Sequence, residues 1–361
     1  MVAPQIQCLE LDLEDFYTKR SEDSVHLVFT ALFGHCKPGM LTKLITMDPE
    51  CFGFITVEGD ETSLDVTLRV GLSDQELDKL FAPIKVLRLT GLFLPWSSLA
   101  YHDLVELCLY PTYTRAESGG NPGSIDESEL VDILSASPCL RILRFGLSII
   151  RQEEDDTPTS HRVRLPELGV LQVDPTWGYY MFDYIEDIFR LLEPGTKPLH
   201  ISIRNRAYWS GTEPYPTETG ALFTRSNVRQ PYLTEVPHLL ELLPSLPYLE
   251  VLILSEQSSS LQLSPSTLPT QQCTNHEVIH PQLGICFILD CLLALSEVLL
   301  LVQACKPQTL ILYGNRFYQD RFGEEVDTEE VGRELSAVCS DVRFTDTYPN
   351  LAEYQELVPD H

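Results

Sequence analysis

The chain has 361 residues, and 53 acidic residues against 25 basic ones give it a formal net charge of −28. No run of Lys and Arg occurs, so the composition excludes a general nucleic-acid binder and a protein held on anionic lipid, because both need clustered positive charge. Hydrophobic residues make up 43% of the chain, enough to bury a core and to exclude a disordered chain.

Short apolar runs of the form L-x-x-L-x-L recur from one end of the chain to the other. The six clearest copies begin at Ile84, Leu104, Leu140, Leu168, Leu249 and Leu283. Weaker copies bring the number of strand candidates to about twelve at a mean spacing of about 30 residues, slightly longer than an ordinary leucine-rich repeat. Apolar residues that alternate in this way predict strands with one buried face.

Helical patterns lie between these strand candidates. Ser73 and Glu76 form an S-x-x-E capping box, Ser124 and Glu127 repeat it, and Pro138 ends the second helix. Strands and helices that alternate along the chain predict α/β units with a parallel sheet. Stacking of such units predicts a leucine-rich-repeat solenoid, a horseshoe with the sheet on its concave face and helices on its convex face. An ordinary α/β domain stays the alternative.

Three segments carry a resemblance to a known family: SASPCLRILRF (135–145), LPSLPYLEVLIL (243–254) and ACKPQTLILY (304–313). Each places a helix end and a proline before a strand, and the chain thereby resembles the ribonuclease-inhibitor-like leucine-rich-repeat region of fungal-type F-box proteins. That family often has Asn or Cys after the strand, which only the unit at Leu283 reproduces fully, with Cys291 and then Leu293. No F-box is visible before the first strand candidate near Cys8.

We expect one array of about ten to twelve units over 1–361. Four segments rich in turn-forming or acidic residues interrupt the repeat, namely 111–123, 151–160, 205–231 and 257–281. The segment 320–361 has twelve acidic and three basic residues and contains one more helix and a final strand by its pattern. We interpret it as an acidic cap, because the last unit of a solenoid needs a polar outer face.

The string His276-Glu277-Val278-Ile279-His280 is the sharpest catalytic pattern in the chain. On a helix, H-E-x-x-H binds zinc through both histidines and leaves the Glu as a general base. Pro281 and the Ser/Thr/Pro-rich residues before the string disfavour that helix. We therefore expect no metal and no catalytic residue, with His276 and His280 as metal ligands in the alternative only.

Residues between the apolar positions of each strand face the concave side, where such arrays bind partners. These positions predict a partner-binding surface made of Lys85, Arg88, Tyr110, Arg141, Arg144, Asp174, Arg204 and Tyr313. Arg88, Arg141, Arg144 and Arg204 suggest a basic patch for an acidic or C-terminal peptide segment. In the C-terminal half the same positions are apolar.

The apolar stretch 284–304 is long enough to span a bilayer, but Asp290 and Glu297 interrupt it and the repeat divides it into a strand and a helix. The ten cysteines are irregularly spaced and no glycosylation sequon occurs, which favours an intracellular, cytoplasmic or nuclear, location. We expect a non-enzymatic protein-interaction scaffold without a cofactor. The resemblance implies substrate recognition in an F-box ubiquitin-ligase context, with an adaptor or a substrate as partner. A zinc hydrolase and an enzyme-binding regulator of ribonuclease-inhibitor type are the alternatives.

Overall fold

The computed structural model describes residues 6–13, 22–47, 53–57, 66–111, 123–151, 162–174, 182–204, 217–236, 239–256, 283–319, 323–349 and 351. Twelve parallel strands form the main sheet, and their order in the sheet is their order in the chain. They are β1 Cys8–Asp12, β2 Lys43–Met47, β3 Val86–Thr90, β4 Glu106–Tyr110, β5 Ile142–Phe145, β6 Val170–Val173, β7 Pro198–Arg204, β8 Asn227–Thr234, β9 Val251–Ser255, β10 Ile285–Leu289, β11 Thr309–Tyr313 and β12 Val342–Thr345.

Helices connect most of these strands. The α-helices are α1 Glu22–His35, α2 Asp74–Phe81, α3 Glu127–Ser135, α4 Phe182–Leu191, α5 Thr217–Arg225, α6 Leu239–Leu242, α7 Leu295–Cys305 and α8 Thr328–Ser336. Two short 3-10 helices cover Leu99–Tyr101 and Leu243–Ser245. Short parallel strands outside the main sheet follow or precede several units, at Gly53–Val57, Val66–Val70, Leu92–Phe93, Ser124–Asp126, Ser148–Ile150, Val163–Leu165, Leu192–Pro194, Leu292–Ala294 and Arg316–Tyr318.

The predicted alternation of apolar residues is confirmed in the strands. In β3, Leu87 and Leu89 are fully buried while Arg88 between them is not. The predicted capping box of Ser73 and Glu76 begins α2, where the Glu76 carboxylate accepts the Ser73 N–H at 2.9 Å. The second box was predicted two residues too early, because it starts at Asp126 and the residues before it form a short strand.

Side chains after the strands bind the backbone of the neighbouring turn. The Cys291 thiol donates to the Leu289 carbonyl at 3.1 Å. Asn315, which follows β11, accepts the Cys291 N–H at 2.9 Å and donates to the Ile288 carbonyl at 2.7 Å. These contacts satisfy backbone groups at the end of β10, and those of Asn315 link successive units.

The residue that follows several strands adopts a left-handed backbone. Glu235, Glu256 and Asp290 follow β8, β9 and β10, and each has a φ of 52°. Gly314 takes this place after β11 with a φ of 64°. A Cβ on Gly314 would lie 2.0 Å from Oδ1 of Asp290, so glycine suits the conformation of this turn and spares the Asp290 side chain a rearrangement.

The chain divides into two compact units. The first consists of 1–168 and 175–195, and the second of 169–174 and 196–361. In the first unit, β1 to β5 pair in parallel, and the edge of the Phe33 ring meets Phe81 at 5.4 Å in a core between helices and sheet. In the second unit, β6 to β12 pair in parallel over a core rich in leucine. Repeated strand–helix units with these turns make the fold an α/β leucine-rich-repeat solenoid.

The predicted irregular segments correspond only partly to the structure. The prediction of an irregular segment over 205–231 is wrong from Thr217 onward, because α5 and the first residues of β8 lie there. The segment 257–281 and most of 111–123 and 151–160 lie outside the described residues. In 320–361 the predicted helix and final strand are present as α8 and β12. The single array over 1–361 stays a prediction.

The structure divides the apolar stretch 284–304 as the sequence predicted. It forms β10, the short strand Leu292–Ala294 and all but the last residue of α7. Within the described parts of the chain, no helix has the length and the apolar character needed to cross a membrane.

Candidate functional site

The main sheet has one face covered by helices and one face that points away from them, which we call the open face. Residues at alternate strand positions reach it, and neighbouring strands in register bring them into rows. In the first unit one such row contains Ile45, Arg88, Cys108 and Arg144, on β2 to β5. Arg88 and Arg144 therefore lie on the same face of the sheet.

Glu106 on β4 connects the two arginines of this row. Its Oε1 accepts from Nε of Arg88 at 2.7 Å and from Nη1 of Arg144 at 2.5 Å. The Glu106 side chain is 9% exposed, whereas Arg88 is 33% and Arg144 19% exposed. One buried carboxylate thus orients two arginines, and their positive charges outnumber it.

Two further predicted cations lie beside this group. Lys85 precedes β3 and its Nζ donates to the Asp103 carbonyl at 3.0 Å, so its ammonium is held near the start of β4. Arg141 occupies the equivalent place before β5 and is exposed. Tyr110 ends β4 on the same face and is half-buried. We call Lys85, Arg88, Arg141 and Arg144 with Glu106 the basic strip.

Arg204 does not belong to the basic strip. It ends β7 in the second unit, and its Nη1 lies 3.5 Å from Oδ2 of Asp174. Both side chains are less than a tenth exposed. The sequence prediction that Arg204 and Asp174 form an exposed partner-binding surface is wrong, because they form a buried ion pair.

The open face of the second unit is apolar, as the sequence predicted, but it is covered. Ile253 and Leu289 point away from the helices and yet have no exposed surface. They pack in one cluster with Tyr232, Phe287 and Leu351, and Tyr313 lies against it. Tyr313, a predicted partner-binding residue, also meets the Tyr348 ring edge-on with 5.2 Å between centroids. The segment interpreted as a cap therefore also returns over the sheet.

The structure offers little catalytic chemistry among its described residues. No group of three or more His, Cys, Asp and Glu side chains in these parts of the chain is arranged to hold a metal. His276, Glu277 and His280 lie outside the described residues. Burial raises the pKa of the Glu129 carboxyl, which also lines a cavity of about 280 Å³ near Trp96. Glu129 accepts the Asp126 N–H, so its role is to cap α3.

Sequence reasoning missed two residues that define these surfaces. Glu106 was not predicted as the partner of two arginines, because the pairing depends on the register of three strands. Leu351 gave no signal at all, since a single leucine in a polar terminal segment has no periodicity. The side-chain alternation of β4 was the one observation that pointed to Glu106.

No protein-family model matches the chain, and no curated protein matches it. Among solved structures, the fold is similar to an internalin from Listeria monocytogenes, with 14% sequence identity and a TM-score of 0.32. That match covers 86% of this chain and 82% of the internalin chain. The assignment of the fold rests on the strand order, the alternating burial and the turn contacts described above.

Proposed function

We propose that the chain is a non-enzymatic scaffold that binds another protein through the open face of its first unit. The partner segment is acidic or ends in a free carboxylate. The observation that carries this proposal is the basic strip, in which Arg88 and Arg144 contact one carboxylate and Lys85 and Arg141 directly precede the neighbouring strands, on a chain that is otherwise strongly acidic. Guanidinium groups already oriented by Glu106 lose little conformational entropy when they bind a carboxylate.

The acidity of the rest of the molecule strengthens this interpretation. A net charge of −28 repels acidic segments in general, so such a segment is attracted only where cations predominate locally. The Arg88 and Arg144 side chains are partly exposed, while the Glu106 side chain is nearly buried. An incoming carboxylate therefore approaches the guanidinium groups first.

A binding titration tests the proposal with a fluorescein-labelled peptide of ten residues that alternates Glu and Ser. Arg144→Glu should weaken its binding at least about tenfold, since it reverses one charge in contact with the ligand. Arg343→Glu makes the same charge change at an exposed ion pair of the second unit and serves as the matched control. Equal weakening in both variants, or no binding by the wild type at low salt, would refute the basic strip as the site.

We place this scaffold inside the cell and, on the resemblance of its sequence, in the context of substrate recognition by an F-box ubiquitin ligase. Affinity purification with mass spectrometry tests the context, and recovery of a ligase adaptor would support it. An enzyme-binding regulator would instead recover an enzyme. Stoichiometric zinc in the purified wild-type chain, lost in His276→Ala, would refute the scaffold and support the zinc hydrolase.

A further inference from the structure

The open face of the second unit has the composition of a binding surface rather than of a solvated sheet face. In register across β8 to β11 lie Tyr232, Ile253, Phe287 and Ile311, and the row beside it adds Leu289 and Tyr313. We call these six residues the apolar strip. A contiguous apolar patch of this kind is rarely left exposed to water, so the strip needs a segment that covers it.

The chain's own C-terminal segment occupies part of this strip. Leu351 is 5% exposed and packs with Tyr232, Ile253, Phe287 and Leu289. The Tyr348 ring packs edge-on against Tyr313. An aromatic residue and a leucine three positions later are thus the two anchors.

Tyr348 packs against Tyr313 at the carboxyl end of β11, and the shift of its pKa agrees with this position. Burial raises the pKa of its hydroxyl, and the neighbouring Tyr232 hydroxyl raises it further. The carboxylates of Asp290 and Glu256, at the ends of β10 and β9, act in the same direction. The Tyr348 hydroxyl therefore interacts with groups on β8 and just after β9 and β10, and the Tyr348 ring contacts β11.

The path of the chain to this position is set by local structure. At the last residue of β12, the Thr345 hydroxyl donates to the Thr347 carbonyl at 2.7 Å. The Thr347 N–H donates back to the same hydroxyl, which makes a compact turn after the strand. Pro349 then favours an extended backbone at Tyr348. The segment therefore crosses the sheet face without joining it as a strand.

We propose that the apolar strip is a second binding site, for an extended peptide segment with a Tyr followed three residues later by a Leu. Tyr348 and Leu351 are its internal ligand, and a partner segment of the same chemistry displaces them. The strip lies in the second unit, so the proposal does not rest on the basic strip.

The free energy needed to displace Tyr348 and Leu351 determines how strongly their removal changes the affinity for the peptide. Full burial of a leucine side chain changes an equilibrium constant by about tenfold to a hundredfold. A short tether gives the internal ligand an effective concentration in the millimolar range. A peptide in solution must compete with that concentration, and it binds more tightly once the internal leucine is removed.

The experiment uses the full chain and a labelled peptide that copies residues 345–353. Fluorescence anisotropy should show that Leu351→Asp binds this peptide at least about tenfold more tightly than the wild type. Leu27→Asp is the matched control, because Leu27 is 66% exposed on α1 and its substitution leaves the internal ligand intact. A peptide in which Ala replaces both the Tyr and the Leu should not bind.

Any of three results would overturn the proposal. The first is equal affinity of Leu351→Asp and the wild type for the peptide, and the second is equal binding of the doubly substituted and the unsubstituted peptide. The third is that neither chain binds the peptide up to about 1 mM, the effective concentration of the tethered segment. Should Leu351→Asp unfold, Tyr348→Ala provides the same comparison, since Tyr348 is partly exposed and its loss leaves no large cavity. Arg144→Glu should leave this peptide's affinity unchanged, which separates failure of this site from failure of the basic strip.

Discussion

Replacing Glu106 by Gln tests whether this carboxylate holds the basic strip together. Gln keeps the shape of Glu but removes the charge that two guanidinium groups share. A buried hydrogen bond to a charged group contributes about 1.5–3 kcal/mol. Arg144 is mostly buried and should retain most of that value, whereas Arg88 is a third exposed and solvent screening reduces its share to about 0.5 kcal/mol. We expect the free energy of unfolding of the first unit to fall by about 2 kcal/mol.

Urea denaturation followed by Trp96 fluorescence measures this change. Trp96 packs against Tyr101 in the first unit, and a background with W177F and W209F leaves it as the sole tryptophan. The midpoint should fall while the denaturant slope stays constant, because the surface exposed on unfolding is unchanged. In a double-mutant cycle with Arg144→Met, the coupling energy should be about 1 kcal/mol or more. A loss below about 0.5 kcal/mol together with zero coupling would show that the contact is not a stabilising one.

Three further predictions concern the turns and the thiols. Burial and then a neighbouring carboxylate raise the pKa of Asp290, so its ionisation destabilises the fold. Asp290→Asn should raise Tm more at pH 7 than at pH 3, because only at the higher pH does the wild type carry the destabilising charge, and an equal shift at both pH values would contradict this reasoning. Asn315→Ala should lower the free energy of unfolding, measured in urea, by about 2 kcal/mol, because two backbone groups lose their hydrogen-bond partner. Asn227→Ala, which removes an exposed hydrogen bond, is the control and should change it by less than about 0.5 kcal/mol. Iodoacetamide and peptide mass mapping should find Cys139 modified in the native chain and Cys305 protected, since burial raises the pKa of the Cys305 thiol to about 12; equal labelling of both would refute it.

The repeat itself could be predicted because its signals are local. Each strand shows its buried face by alternation, and the capping box at Ser73 marks a helix start within four residues. Asn315 follows the apolar pair Leu310 and Leu312 at the spacing typical of a leucine-rich repeat. It was not predicted, because the strand at Leu310 is a weak copy of the repeat.

The candidate sites could be predicted only in part because they depend on distant residues. The basic character of the face around Arg88 is visible in the sequence, but its pairing with Glu106 requires the register of β3, β4 and β5. The burial of Arg204 depends on Asp174, thirty residues earlier. The return of Leu351 over Ile253 joins residues almost a hundred positions apart, and no local pattern encodes such a contact.

The left-handed turns after β8, β9 and β10 have a consequence for how this sequence can change. Glu235 and Glu256 adopt a backbone that costs an ordinary L-residue about 1–2 kcal/mol, whereas glycine, asparagine and the aspartate present at 290 adopt it with less strain. Positions 235 and 256 are therefore a reserve of stability that the present sequence does not use. Drift toward glycine or asparagine there would offset damage elsewhere in the repeat, and it would do so in the turns, outside the strands of the sheet.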